Sequence, residues 1–581
     1  MKTTQAFREK DLQNIQVFRG GISKEAKHVP MHPSLYQFDE GGTLSFNEGT
    51  HGVLVIGGVG RGKTASFMLP MASALIDAGL PGFIIDIKNN FTGQIRKLAK
   101  NAGREDDIVE IGTHPAATPV NLMAGLDVDE MQQMIESLLL SGQEHSKNIE
   151  WLHSGVRLLA DIALLLRFVS QVDVRFAPSF VLMDRCVNDF RFVRNIFNMY
   201  LDRVYDNGDI KQRAFTNRVR TSPFHILSDK IYRTSLKYNE QLGFQLYGPR
   251  MVLGSITSDE SLCNNLSGIN CSTDLDYRKL LKENKIIILR FKHTQGHAAK
   301  LLARFIKEKF YADVYRTLDD CDQPEQCFFM ADEFQDTINV SPDNTFDDLS
   351  WFSKAREFGC INIVATQALS SLYGNSLQHD QVNALVANCS TKIVLQNDDP
   401  AADKFFRHFC GLEKTLAQLG PSEALVARFD LDSRKQVVDT LHFTKIFKRI
   451  QDRLNSCGEV ARVESDTPSL GSLMQELDEI LFFETITTTM DGRKDYAELV
   501  TTFKNVLCSP STLKLEYRPE RHGDVMYALQ SLNDRFGKGI TVYGVAAIGN
   551  AGAYLDVGDD AEREDVADFL RELLEGKYHE G

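Results

Sequence analysis

Apolar and polar positions along this chain fall into two textures. Short apolar runs, most of them rich in β-branched side chains, recur at Val53–Ile56, Gly82–Asp86, Ile108–Ile111, Lys285–Arg290, Gln326–Asp332, Cys360–Gln367 and Thr391–Leu395. Runs of that length bounded by turn residues predict buried strands of a parallel sheet. From about Asp129 to Ser255 the apolar spacing becomes helical, with Met131, Met134, Leu138 and Leu139 on one helix and Trp151, Val156, Leu159, Ile162 and Leu166 on the next. The strand texture then resumes, which predicts a helical insertion between two halves of one sheet. The second half adds helices over about His297–Tyr315, around Trp351 and Phe352, and through Phe405, Phe406 and Phe409.

The flanks read differently. Residues 1–50 hold strand-like pieces, including Gln16–Phe18 and Thr43–Phe46, between Gly and Pro turns. Residues 446–490 form a charged, then mixed connector. Residues 491–581 alternate helix (Tyr496–Val506), strand (Leu513–Tyr517), helix (Gly523–Phe536), strand (Ile540–Ile548) and helix (Ala561–Leu574), as a small α/β domain would. The predicted division is therefore 51–128 and 270–445 for the sheet-bearing domain, 129–269 for an all-α insertion, and 491–581 for a C-terminal domain.

Composition changes this picture little. At 581 residues the chain exceeds one compact core, and 43% apolar with 25% charged residues is ordinary for a globular protein. The net charge of −14 argues against a general nucleic-acid coat. Residues 191–250 nonetheless carry eleven Lys/Arg against five acids, interleaved with Tyr200, Tyr205, Phe215, Phe224, Tyr232 and Tyr238. That pattern suits a surface that follows phosphates and touches bases; the plainer alternative is a solvated helical face with its rings in the core. The last 31 residues hold ten acids and three bases, suited to a basic partner or simply to a solvated acidic helix. Ten scattered cysteines lack zinc or redox spacing and predict free, mostly buried thiols. His293 and His297 lack the intervening glutamate of a zinc-protease helix. No apolar segment reaches the roughly 20 residues that a bilayer requires, and the predicted location is cytoplasmic.

The chemistry gathers at Gly52–Thr64, which reads GVLVIGGVGRGKT. A buried strand runs into Gly57-x-x-x-x-Gly62-Lys63-Thr64 and then a helix, the context of a phosphate-binding loop. Gly57, Gly58, Gly60 and Gly62 let successive backbone N–H groups turn toward phosphate oxygens, beside the following helix N-terminus. Lys63 reaches the β- and γ-phosphates of ATP, the Thr64 hydroxyl ligates Mg²⁺, and Arg61 adds a cation alongside. Downstream, Gln326–Asp332 ends in Asp332-Glu333: Asp332 holds the Mg²⁺ shell, and Glu333 polarises the attacking water. Asp86 and Lys88 end another strand, where ligands of open α/β sheets sit, or else they form a surface ion pair. Gln367 ends a further strand and is placed to sense the γ-phosphate. Arg356 reads either as an arginine finger for an adjacent subunit or as a surface arginine near a helix end.

In order and spacing these residues resemble the type IV coupling proteins, the TraG/TraD-like ATPases of conjugation and type IV secretion within the FtsK/HerA superfamily. The resemblance spans about 45–445 and rests on Gly57–Thr64, Asp86-Ile-Lys88, the helix around Trp151, Gly254–Ser258, Ala331–Phe334, Ala355–Gly359 and Ala365–Gln367. It implies a RecA-like P-loop ATPase domain with an inserted all-α domain, ATP and Mg²⁺ between subunits, and a homo-hexameric ring when active, compatible with a monomer in isolation. It also implies single- or double-stranded DNA, or a relaxase-bound nucleoprotein, as substrate, and a secretion channel as partner. Family members usually begin with two transmembrane helices; attachment to the inner membrane would here come through an anchoring partner. Val59 and Arg61 stand where small or polar residues are usual in the loop. Two alternatives remain open at the level of sequence: a cytosolic FtsK/HerA-type translocase or helicase in plasmid, phage or defence function, and a nucleotide-switched platform that recruits protein cargo.

Overall fold

Most of the apolar runs join a single sheet. The structure, a computed structural model, describes residues 34–114, 117–123, 125–140, 149–221, 236–266, 273–291, 296–320, 326–340, 344–373, 379–410, 415–430 and 435–456, and the backbone of 512–517, 540–548 and 550–557. In chain order its strands are β1 (Ser34–Gln37), β2 (Thr43–Ser45), β3 (Val53–Ile56), β4 (Gly82–Asp86), β5 (Ile108–Gly112), β6 (Val120–Asn121), β7 (Thr273–Asp274), β8 (Ile286–Arg290), β9 (Cys327–Asp332), β10 (Cys360–Thr366), β11 (Thr391–Leu395), β12 (Glu423–Asp430), β13 (Lys435–His442), β14 (Thr512–Tyr517), β15 (Ile540–Ile548) and β16 (Asn550–Val557). Nine of them form the central sheet in the order β13-β12-β11-β3-β10-β9-β4-β8-β5. From β11 to β5 every pairing is parallel. The order β11-β3-β10-β9-β4 separates the phosphate-loop strand β3 from the Asp-Glu strand β9 by one strand, the arrangement of a RecA-type P-loop ATPase. β12 and β13 then extend the sheet beyond β11 as an antiparallel hairpin.

Alternate residues of the buried strands feed two apolar layers, as a parallel sheet covered on both faces requires. On one face Val53, Val55, Ile84, Met330 and Ile363 pack with Phe67, Met71 and Leu75 of the helix that follows β3. Helix Thr444–Asn455 joins this layer through Ile446, Ile450 and Leu454, and its Arg453 grips Asp77 with two bonds of 2.6 and 2.7 Å. The connector expected from residue 446 therefore begins as a helix docked on the sheet. On the other face Phe83, Tyr277, Phe310, Phe329 and Tyr311 interlock, and Tyr311 stacks on Trp351 with centroids 4.2 Å apart.

That second layer encloses a charged pair. Lys307, on helix Gly296–Asp320, and Asp348 are both fully buried and paired. Asp348 also accepts from the Tyr311 hydroxyl (2.9 Å) and the Asn339 backbone N–H (2.6 Å), while Lys307 donates to the Thr337 carbonyl (2.6 Å). Burial pushes the Lys307 ammonium below the usual lysine range, against the pull of Asp348. Removing one partner of such a pair leaves an uncompensated buried charge. Asp348→Ala should therefore lower stability by about 3–5 kcal/mol, read as a fall in denaturation midpoint, whereas Lys307→Met combined with Asp348→Leu should lose much less. Equal losses in the single and double variants would show that the pair is not the cause.

Contacts divide the chain into two units: Met1–Ala163 with Pro178–Asp184 and Glu240–Pro468, and Leu164–Ala177 with Arg185–Asn239 and Ser469–Gly581. Helices Val128–Leu140 and Glu260–Leu266 thus fall with the sheet-bearing unit, while Phe190–Arg203 and Ile210–Thr221 fall in the other. β6 and β7, on either side of the helical stretch, pair with each other in parallel. At the C-terminal end, β14, β16 and β15 form an antiparallel sheet in which β16 had no counterpart among the expected elements; the helices expected at 496–506, 523–536 and 561–574, like the strand at 16–18, lie outside the described residues. Among the described residues no helix is long and apolar enough to cross a membrane. The five described free cysteines, Cys186, Cys263, Cys327, Cys360 and Cys389, are all buried, as their lack of metal or redox spacing predicted.

Candidate nucleotide-binding site

The site lies at the carboxyl ends of β3, β10, β9 and β4. The loop after β3 needs glycine for two different reasons. Gly62 sits at φ +88°, in the left-handed region, while a Cβ on Gly57 would meet Leu395 at 2.9 Å. Gly60 also has positive φ, and Val59 stands 77% exposed at the loop's outer turn next to exposed Arg61. The chain then enters a π-helical turn over Thr64–Met68 before continuing as helix Leu69–Asp77. π-turns often mark functional sites; here the Tyr36 hydroxyl donates to the Ser66 carbonyl at 2.8 Å within that turn.

Lys63 is buried, and its ammonium donates to the Gly57 and Gly58 carbonyls at 2.7 and 3.3 Å. Burial lowers its pKa, opposed by the nearby carboxylates of Glu333 and Asp332. The Thr64 hydroxyl donates to Asp332 Oδ2 at 3.0 Å across 268 residues of sequence. Asp332 is buried, and that burial, reinforced by Glu333, raises its pKa. A hydroxyl and a carboxylate side by side are the hard oxygen donors that suit Mg²⁺, and Lys63 with the loop's backbone suits phosphate. The residues present therefore fit a Mg²⁺–nucleoside triphosphate: Thr64 and Asp332 would hold the metal, and Gly57–Lys63 the phosphates. Bound there, Mg²⁺ would supply charge neutralisation at the phosphate oxygens.

Glu333 adopts a left-handed backbone (φ 54°, ψ 48°), uncommon for a non-glycine residue and typical of functional positions that the surroundings enforce. Its carboxylate is held by three donors. Lys88 takes Oε1, and Gln335 and Gln367 take Oε2, the last at 2.7 Å. Burial pushes its pKa up, but the bonds from Lys88 and Gln335 lead the effects that leave it lower than usual. Gln367 reaches Glu333 because β10 lies between β3 and β9. The expected sensing residue is thus in contact with the expected base.

Asp86 departs from its expected role. Its carboxylate accepts from the N–H groups of Asn90, Phe91 and Thr92 and from the Thr92 hydroxyl, at 2.6–3.2 Å. Fully buried and holding four donors, it pins the loop that carries Lys88. Arg356 lies exposed in the turn after helix Asp348–Lys354, before β10 begins. Its charge is felt by His51, next to the start of β3. The length of β10, seven residues or roughly 20 Å at strand rise, separates it from the phosphate loop of its own chain.

The motifs gave two residues of the site no role. Gln335 follows Asp332-Glu333 by two positions and bonds Glu333, and Thr366 accepts the task of orienting it, donating its hydroxyl to Gln335 Oε1 at 2.9 Å. Only their closeness in sequence to Glu333 and Gln367 hinted at them.

Helix Ile210–Thr221 keeps cations at the surface, but not all the expected rings are there. Lys211, Arg213 and Arg218 are exposed on helix Ile210–Thr221. Tyr200 and Phe215, expected to interleave with them, are buried, each with its ring 5.3 Å from Phe168, and the Tyr200 hydroxyl bonds Thr216 at 3.0 Å. Helical spacing turns these large rings inward, where their burial stabilises the helices. Tyr205 is half-buried and bonds Asn207, while Phe224 and Tyr232 lie outside the described residues, as does the Tyr238 side chain.

No protein-family model and no curated protein matches the sequence. Solved structures do match the fold. Plasmid coupling protein TrwB in complex with the non-hydrolysable GTP analogue GDPNP aligns with a TM-score of 0.51 at 12% identity, over 77% of this chain and 95% of that one. TrwB in complex with a non-hydrolysable ATP analogue gives the same values. VirB4 of Thermoanaerobacter pseudethanolicus aligns with a TM-score of 0.43 at 12% identity, over 73% of this chain and 98% of that one.

Proposed function

We propose that this chain, which shares the fold of the coupling protein TrwB, is a ring-forming, Mg²⁺-dependent ATPase of the coupling type that moves DNA or a nucleoprotein toward a transfer machine of the type IV secretion class. The observation that carries the reading is the Thr64–Asp332 contact, with Glu333 beside it. Residues 268 positions apart complete one metal-ready site, and the helices between them lie outside the strand order that builds it. Lys63 binds phosphate, Glu333 activates water, and Gln367 and Gln335 orient it. The exposed cations of helix Ile210–Thr221 are offered to a nucleic-acid backbone. A ring would place each site beside a neighbour, and a secretion-channel component would anchor it at the inner membrane.

The test is steady-state ATP turnover with and without single-stranded DNA. The expected result is severalfold stimulation, falling with added salt as phosphate contacts are screened. Turnover indifferent to DNA, with no binding of single or double strands, would overturn the DNA role and favour a platform for protein cargo.

A further inference from the structure

Lys88 is held in place more firmly than a surface lysine needs to be. Asp86 gathers four donors of the following loop, and Asn89, next to Lys88, has a left-handed backbone (φ 53°). The Asn89 side chain accepts from Arg290 Nε at 2.5 Å, at the end of β8. Arg290 in turn pairs with buried Glu110 of β5 at 3.0 Å, and Glu110 also holds Arg96 of helix Thr92–Asn101. Three neighbouring strands, β4, β8 and β5, thus brace one short loop, and that loop delivers the Lys88 ammonium to Glu333 Oε1. Asp86 and Asp332 are register partners, so the pairing follows directly from the sheet. Glu333 directly follows Asp332, which bonds Thr64 at the end of the phosphate loop, so Lys88 and that loop meet the same pair of acids.

An ammonium between a carboxylate and a phosphate site can serve only one of them fully. We propose that Lys88 is a positioning residue that exchanges partners, holding Glu333 in the arrangement seen here and transferring to the terminal phosphate of bound nucleoside triphosphate, which frees Glu333 to take a proton from water. The inference rests on the nucleotide-binding reading of the site and adds to it a coupling between triphosphate recognition and release of the base. A diphosphate offers Lys88 no terminal phosphate, so the exchange would distinguish ATP from ADP. The Lys88 side chain is 41% exposed, and its truncation removes no core packing.

The experiment is a double-mutant cycle on nucleotide affinity in the full chain, measured by equilibrium binding of a non-hydrolysable ATP analogue and of ADP. Glu333→Gln removes the competing charge and should tighten the analogue by about fivefold with ADP unchanged. Lys88→Met should weaken the analogue and spare ADP. In the double variant the gain from Glu333→Gln should vanish, and Lys88→Arg should restore most of the wild-type preference for the analogue. Additive effects, or equal effects on analogue and ADP, would overturn the exchange while leaving the nucleotide site intact. A wild-type chain that binds neither nucleotide would overturn the reading of the site, and the exchange with it.

Discussion

Glu333→Gln should bind ATP and fail to turn it over, with kcat reduced by about 10²–10⁴, the usual contribution of a positioned general base. The amide keeps the shape of the carboxylate but loses its charge and its ability to accept a proton. The ion pair with Lys88 loses its charge, but the other bonds can persist: Gln335 and Gln367 can still bond the amide oxygen, and Thr64 still bonds Asp332. Lys63→Ala should behave differently, because in the proposed reading Lys63 binds the phosphates directly, and its loss should raise KM as well as lower kcat. Side-by-side measurement of nucleotide affinity and single-turnover hydrolysis separates the two. Glu333→Gln retaining turnover within about twofold of wild type, well short of the loss expected for a base, would remove Glu333 from the water-activating role.

The left-handed backbone at Glu333 bears on the same result. A non-glycine residue in that region costs of order 1 kcal/mol, and here it turns the carboxylate away from Asp332 toward Lys88 and Gln367. Two adjacent acids are thereby given separate work. Asp332 faces Thr64, and Glu333 faces Lys88 and Gln367, which follow the ends of the neighbouring strands β4 and β10.

Much of this was legible in the residues themselves, and the reasons differ from place to place. The loop after β3 could be read because its geometry demands specific letters: Gly62 for a positive φ and Gly57 for lack of room against Leu395. The parallel strands could be read because burial on both faces leaves no polar alternation. Contacts made through strand order could not. Nothing local to Lys88 announces Glu333, 245 residues on; the pair exists because β4 and β9 are neighbours. Asp86 carried the signal of a ligand, a carboxylate at a strand end, yet four donors from its own loop claim it. Helix Thr444–Asn455 hid inside a charged stretch because only Ile446, Ile450 and Leu454, spaced by four, mark its buried stripe among lysines and arginines. For Tyr200 and Phe215 the plainer of the two readings holds: aromatic residues among cations can look like a binding surface, but helical spacing turns these rings inward.

Arg356→Ala should lower turnover by about 10³-fold or more, the magnitude of an arginine finger, although the residue lies at the far end of the sheet from its own chain's site. β10 runs from Cys360 to Thr366 with Arg356 before it and Gln367 after it, so the two cannot serve the same nucleotide. In the ring proposed above, an exposed guanidinium at one end of a parallel sheet and a phosphate loop at the other would form the two halves of a head-to-tail contact, the kind of heterologous interface that closes into a ring. Turnover per chain should then rise steeply with protein concentration as the contact forms. The sharper check is to mix two inactive variants. Arg356→Ala keeps Glu333, and Glu333→Gln keeps Arg356; in a head-to-tail assembly of equal amounts, about a quarter of the contacts would join an intact arginine to an intact glutamate. Mixing should therefore restore a substantial fraction of wild-type turnover. A mixture as inactive as its components, at concentrations where the wild type turns over, would mean that Arg356 does not act in trans, and an Arg356→Ala variant with wild-type turnover would return the residue to the surface.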